Sequence, residues 1–261
     1  MSDTILMIGC GRMGGAIAQA LAPACRVLAF DPHADHLPAG VERLESLSGA
    51  GACAVVVLAV KPQGFDAIAP ALASLAGPGS VILSIMAGIT LERLSAAAGT
   101  GAALVRAMPN TPAAIGCGIT AAVASPAVTA RQRAAVTRTL EATGQVLWLE
   151  DEGDLDAVTA LSGSGPAYFY RFAEALIQAG MERGLDAETA TRLARQTFIG
   201  AARLAEVDGV PLVELRRQVT SPGGTTAAGL AVMEADGAID ALAGQVVRAA
   251  ARRSRELSQP R

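Results

Sequence analysis

The chain has 261 residues, of which 51% are hydrophobic and only 17% charged, and its formal net charge is −3. Average soluble domains carry roughly 25% charged residues, so the shortfall implies extensive burial, inside the subunit or between subunits. A small negative charge argues against a broad nucleic-acid surface, and the length suits one large domain or two ordinary ones.

The segment "MSDTILMIG" opens with no basic stretch, so no signal peptide is expected, and Thr4–Gly9 within it reads as a buried strand. "GCGRMG" follows, a G-x-G-x-x-G fingerprint of Gly9, Gly11 and Gly14 that leaves a strand and opens a helix at Met13–Ala22. That context gives the motif its weight: the first glycine permits the tight turn, the second lets the backbone approach a pyrophosphate, and the third allows close helix–strand packing. The helix N-terminus adds N–H groups and positive dipole. Gly9, Gly11, Arg12, Met13 and Gly14 are therefore counted as cofactor-binding, although packing alone would account for Met13.

"RVLAFD", Arg26–Asp31, is the next strand, and Asp31 stands 20 residues after Gly11. An acid there suits the ribose 2′-hydroxyl of NAD and repels a 2′-phosphate; its other reading is a turn former before Pro32. "DPHADH" brings no Arg or Lys, so local chemistry leans towards NADH. "AVVVLAV", Ala54–Val60, is a third strand, far shorter than the ~18 apolar residues of a membrane span. It ends in Ala59, Val60, Lys61 and Pro62 at the sheet's carboxyl edge. Lys61 is the sole lysine, equally placed to contact a ligand or to be a strand-end residue.

Further strands are Ser80–Gly88, Ala102–Met108, Gly118–Ala124 and Gln145–Glu150, with helices at Phe65–Ala76, Leu91–Ala98 and Ala130–Thr143. Continuous apolar strands alternating with helices predict a parallel sheet covered on both faces. No strand is evident after Glu150. Phe169, Phe172, Ala173, Leu176 and Gly180 keep helical spacing, as do Ala190, Leu193, Ala194, Thr197 and Phe198, and then Ile239, Leu242, Ala243 and Val246. The expected division is a dinucleotide domain at 1–150 and an all-helical domain at 151–261. Within the latter, "TSPGGTTAAG", Thr220–Gly229, interrupts the helices with Pro, two consecutive glycines and a cluster of hydroxyls. The basic cluster Arg252–Leu257 reads as a solvated final turn. Cys10, Cys25, Cys53 and Cys117 are scattered without CxxC spacing, so no zinc site or disulfide framework is expected and a reducing, cytoplasmic setting fits.

General acids are scarce. His33 and His36 both follow the second strand, on the adenosine side, and read as surface residues. A ketone reductase needs a proton donor beside the carbonyl, whereas a protonated C=N bond accepts hydride directly. The chain thus favours an imine over a ketone. A hydroxyacid dehydrogenase with a helical second domain would need a Lys or His early in that domain, and Asp151–Leu185 has neither.

"GCGRMG", "AVKPQ", "SIMAGIT", "RAMPNTPA", "LSGSGPAY" and "TSPGGTT", in this order over almost the whole chain, closely resemble the Δ1-pyrroline-5-carboxylate reductase family. The resemblance implies an α/β fold, a Rossmann-type doubly wound sheet followed by an all-helical dimerisation domain. It implies NAD(P)H-dependent reduction of pyrroline-5-carboxylate to L-proline, in homodimers that often assemble further; the charge and the short apolar runs read above lead to the expectation of neither nucleic acid nor membrane as partner. Another small-imine or hydroxyacid reductase of the same architecture is the alternative. By resemblance Ser221, Gly224 and Thr225 hold the substrate carboxylate, and Thr226, the catalytic candidate, hydrogen-bonds the ring nitrogen. Met108, Pro109 and Asn110, with Thr111, look like the family's segment beside the nicotinamide ribose, and Ala59–Pro62 like its cofactor-lining strand end. Ser84, Ala87 and Gly88 are placed near the same crevice. Ser164 of "SGSGP" is read either as facing the site or as helix packing. The family commonly prefers NADPH, which pulls against the local chemistry at Asp31.

Overall fold

The computed structural model of the chain describes residues 4–258; Met1–Asp3, the start of the segment read for a leader, lie outside them. Two compact units emerge: one runs to Ser164 and takes up the chain again from Ala249, and the other is Gly165–Arg248.

The first unit is built on eight strands: β1 (Ile5–Ile8), β2 (Val27–Phe30), β3 (Val41–Arg43), β4 (Val55–Leu58), β5 (Val81–Ser84), β6 (Leu104–Met108), β7 (Gly118–Ala124) and β8 (Gly144–Trp148). Five helices accompany them: α1 (Arg12–Leu21), α2 (Phe65–Leu75), α3 (Leu91–Ala98), α4 (Ala130–Glu141) and α5 (Asp154–Val158). The strands lie in the order β3-β2-β1-β4-β5-β6-β7-β8. Side-chain alternation divides the core. Ile5 and Met7 of β1 join Val55 and Val57 of β4 under α1 and α4, while Leu6, Ile8, Val56 and Leu58 pack beneath α2 and α3. Both faces are covered, which is why the strands read as continuous apolar runs.

The sheet is mixed rather than wholly parallel. β7 runs antiparallel to β6, with Met108 opposite Ala121, and β8 then lies parallel to β7. The cause is connection length: residues 109–117 hold one 3₁₀ turn, Thr111–Ile115, and are too few for the dozen or more of a parallel crossover. β3 has no counterpart in the sequence reading, because "VER" is short, mostly charged and at the sheet edge.

The other unit contains α6 (Gly165–Glu182), α7 (Ala187–Asp208), α8 (Leu212–Gln218), α9 (Thr225–Glu234) and the start of α10 (Ala238–Ser258). The spaced apolar residues fall on these helices, yet Phe169, Phe172, Leu176, Leu193 and Leu242 are 48–62% exposed. No helix among the described residues is long and apolar enough to cross a membrane.

α10 re-enters the first unit with its last turns. Ser254 Oγ donates to Asp156 Oδ1 at 2.6 Å, and a Cβ at Gly88 would stand 2.6 Å from the Leu257 carbonyl oxygen. The arginines of Arg252–Leu257 are exposed as expected, but the opposite side of that turn is docked.

Candidate active site

The order of strands places a crevice between β1 and β4. The chain leaves β1 towards β2 and β3 on one side and continues from β4 on the other, so the loops at their carboxyl ends diverge. Gly9 follows β1 with φ +95°, and a Cβ there would lie 2.7 Å from the Val60 nitrogen. A Cβ on Gly14 would collide with the Gly9 carbonyl oxygen and lie 2.9 Å from the Ala59 Cβ. The glycines thus let the β1 turn, the start of α1 and the end of β4 touch, bringing Gly9, Gly14, Ala59 and Val60 together.

Gly11 is the N-cap of α1, and a Cβ there would meet nothing within 4 Å. The helix has no side-chain cap and no acid in its first turn. Its first N–H groups are therefore donors without a helical acceptor, the arrangement that suits a pyrophosphate. Arg12 is exposed, and Met13 packs against the sheet core. Lys61 is exposed as the N-cap of the 3₁₀ turn Pro62–Gly64. Thr111–Ile115 packs against α1, so the loop after β6 borders the same end of the sheet.

Asp31 ties the loop after β2 to the glycine turn. Its Oδ2 accepts from the Cys10 N–H at 2.7 Å and its Oδ1 from the His33 N–H at 2.9 Å. The acid acts as both turn former and strut at the end of β2. Burial, then the Asp31 carboxylate, push the Cys10 thiol up, while the Arg43 charge opposes them. His33 and His36 are exposed. Arg43 is the residue the sequence reading did not bring to this place: it ends β3 and donates to the Asp31 and Ala34 carbonyls at 3.3 and 2.7 Å. Twelve residues separate it from Asp31, and the signal was an arginine closing a short polar segment between two strands.

The segment after β6 is held from two sides. Met108 buries its side chain with Ala121, Val123 and Leu155, and Pro109 is buried beside it. The Asn110 Oδ1 accepts from the Ile119 N–H at 3.0 Å, pinning the turn to the start of β7. Arg106, two residues upstream of Met108, is buried on β6 and donates to Glu152 Oε1 at 2.8 Å. The Ser84 hydroxyl accepts from the Met86 N–H at 3.3 Å, which leaves Ala87 exposed and Gly88 against the end of α10. "SGSGP" spans the end of a π turn and the start of α6. Thr159–Gly163 is a single π turn, closed by the Ser164 N–H on the Thr159 carbonyl at 2.8 Å, and Ser164 is where the chain passes between units.

Ser221, Gly224, Thr225 and Thr226 gather in the other unit, at the start of α9. Gly224 is the N-cap, and its N–H donates to the Ser221 carbonyl at 3.0 Å, closing the turn. α9 has no side-chain cap and no acid in its first turn. The donors it leaves open are the N–H groups of Thr225, Thr226 and Ala227, beside the exposed hydroxyls of Ser221, Thr225 and Thr226. Such a cluster can hold a carboxylate without a cationic side chain.

Residues 152–257 match the family described as pyrroline-5-carboxylate reductase dimerisation, and residues 4–88 match the description NADP oxidoreductase coenzyme F420-dependent. The pyrroline-5-carboxylate reductase of Pseudomonas aeruginosa is 44% identical over 98% of this chain and 97% of its own length. Among solved structures, a pyrroline-5-carboxylate reductase from Coxiella burnetii aligns at 33% identity and TM-score 0.92, covering 100% of both chains. The Plasmodium falciparum pyrroline carboxylate reductase with NADP bound aligns at 27% identity and TM-score 0.84, covering 98% of each. Glycine turn, uncapped α9 start, dimerisation segment and near-complete alignment to these relatives agree, and the chain belongs to the pyrroline-5-carboxylate reductase family.

Proposed function

We propose that the chain reduces 1-pyrroline-5-carboxylate to L-proline with NAD(P)H, the last step of proline biosynthesis, in the cytoplasm. The observation that carries this is that the chain holds both an open glycine turn at the β1/β4 crevice and, separately in its other unit, an uncapped, hydroxyl-lined helix start. The dinucleotide fits the first: the turn leaves open space at Gly11 and unpaired N–H groups at α1 for the pyrophosphate. Gly9, Gly11 and Gly14 form the turn, with Arg12 beside it and Ala59 and Val60 against it; in this reading Lys61, Pro62 and the segment Met108–Asn110 line the rest of the cofactor. When bound, the dihydronicotinamide supplies a hydride to the carbon of the C=N bond.

At α9 the N–H groups of Thr225 and its neighbours, with the Ser221 hydroxyl, hold the substrate carboxylate. Thr226 orients the ring nitrogen, which loses its positive charge as it becomes an amine. A hydroxyl accepts from N–H in the iminium, donates to the amine, and carries no charge to repel the cation. Losing one such contact costs on the order of 1–3 kcal/mol, or about 10- to 100-fold in rate. Thr226→Ala is expected to lower kcat/KM by that factor with NAD(P)H affinity intact. Thr226→Ser is expected to recover much of the activity, and Thr226→Val to behave like alanine. Wild-type kinetics in the valine variant would show the hydroxyl to be incidental. The functional reading itself is tested by NAD(P)H oxidation with pyrroline-5-carboxylate against 2-oxoacids; turnover of the 2-oxoacids alone would overturn it.

The exposed apolar residues of α6, α7 and α10 are the surface a second copy covers. Obligate interfaces run to about 2,000–5,000 Å² and are hydrophobic. We expect an obligate dimer, able to assemble further; a stable, active monomer in light scattering at micromolar concentration would refute it.

A further inference from the structure

β3 is the outermost strand of the sheet, with Ala29 of β2 in register with Arg43 at its end. The Arg43 side chain reaches the loop that follows β2. Nη1 donates to the Asp31 carbonyl at 3.3 Å, and Nη2 donates to the Ala34 carbonyl at 2.7 Å and to the Asp35 carbonyl at 3.5 Å. Arg43 is nevertheless exposed. This is the loop that Asp31 fastens to the glycine turn through the Cys10 N–H. A carboxylate of this loop and a guanidinium from the neighbouring strand are thus held together at the end of β2, and the Arg43 charge is felt as far as the Cys10 thiol inside the glycine turn.

In a doubly wound sheet the adenosine ribose of a dinucleotide lies over the end of β2. An unmodified 2′-hydroxyl there needs an acceptor, which Asp31 supplies. A 2′-phosphate needs positive charge and several donors. A guanidinium carries five N–H donors and pairs bidentately with phosphate. The three carbonyls leave Arg43 donors to offer, and they hold its long side chain in place, so less rotamer entropy is lost when an anion arrives.

We propose that Arg43 is the residue that admits a 2′-phosphorylated cofactor: held against the β2 loop, its guanidinium offsets Asp31 and pairs with the 2′-phosphate, so the chain accepts NADPH as well as NADH. This rests on the reading of the glycine turn as a dinucleotide site. It also reconciles the acid after β2 with the NADP seen in a structural relative.

Binding without turnover tests it. Dissociation constants for NADPH and NADH come from the fluorescence of the reduced cofactor, and those of 2′,5′-ADP and 5′-ADP from competition, for the wild type, Arg43→Met and Arg43→Lys. In the wild type 2′,5′-ADP is expected to compete better than 5′-ADP, with a steeper dependence on salt. Arg43→Met is expected to weaken NADPH and 2′,5′-ADP about 10- to 100-fold and the unphosphorylated pair less than about twofold. Arg43→Lys is expected to retain part of the discrimination. Equal weakening of all four ligands in Arg43→Met would reduce Arg43 to a loop clamp and overturn the proposal, as would unchanged binding of all four. A wild type that prefers 5′-ADP overturns it without any variant, even if Arg43→Met fails to fold. A wild type that binds neither cofactor overturns the dinucleotide reading itself.

Discussion

Glu152→Ala will melt on the order of 10 °C below the wild type. Arg106 sits on β6 in the middle of the sheet, only 5% exposed, and Glu152 holds its charge at 2.8 Å. The same carboxylate oxygen accepts the Leu91 N–H at 2.9 Å, the first N–H of α3. Among the described residues the Arg106 Nε already lacks a partner. Removing the carboxylate therefore strands a buried cation and a helix-start donor together. Breaking a buried ion pair from one side costs about 3–5 kcal/mol. The Glu152 side chain is 27% exposed, so water can partly replace it, which places the loss near the lower bound. A chain of this size loses about 2–4 °C per kcal/mol. Scanning calorimetry measures the shift, and a drop of less than about 3 °C would mean that water substitutes fully for the carboxylate. The double variant Arg106→Met, Glu152→Leu should recover most of the loss, because an apolar pair of similar volume leaves no buried charge.

Gly14→Val will weaken NADPH about 100-fold or more. At Gly14 the backbone of α1 lies against the Gly9 carbonyl, and Gly9 has no slack, because its own free side is filled by Ala59 and Val60. A side chain at 14 must push α1 off the sheet or push the β1 turn out of place. Overpacking of this kind costs about 1–3 kcal/mol, and each misplaced donor to a charged phosphate about 1.5–3 more. Gly11→Ala provides the contrast. Its Cβ meets nothing within 4 Å, so stability should hold while the added methyl obstructs the approaching pyrophosphate. Cofactor titration beside thermal melting separates the two: Gly14→Val loses binding and stability, Gly11→Ala binding alone. Unchanged affinity in Gly11→Ala would place the pyrophosphate elsewhere.

What the sequence made legible depended on range. Apolar runs such as "AVVVLAV" announce buried strands because both faces of the sheet are covered, and the spacing of the glycines announces a turn because each answers a local backbone need. The α9 start was legible for the same reason: Pro222, Gly223 and Gly224 cannot continue a helix. Side-chain partnerships over distance were not. Nothing local links Arg106 to Glu152, 46 residues on, or carries Arg43 to Asp31. β3 was invisible because two of its three residues are charged. The reversal at β7 depends on connection length, which an apolar pattern does not encode. The small residues of "SGSGP" did not announce the π turn Thr159–Gly163, because one extra residue in a helical turn leaves no mark in an apolar pattern.

The docking of the last turns of α10 beside Gly88 and Asp156 bears on biosynthesis. A ribosome delivers the strands of the first unit early, and domains begin to fold in that order. The segment that completes this unit, from Ala249 onward, is made only after the other unit. Every helix of the other unit must be synthesised before the first unit is closed. A chain that stops short of Ala249 is therefore defective in the unit it began before the other, not only in the one made later. Degradation of incomplete products can then begin at the sheet, with no need to sense the missing end.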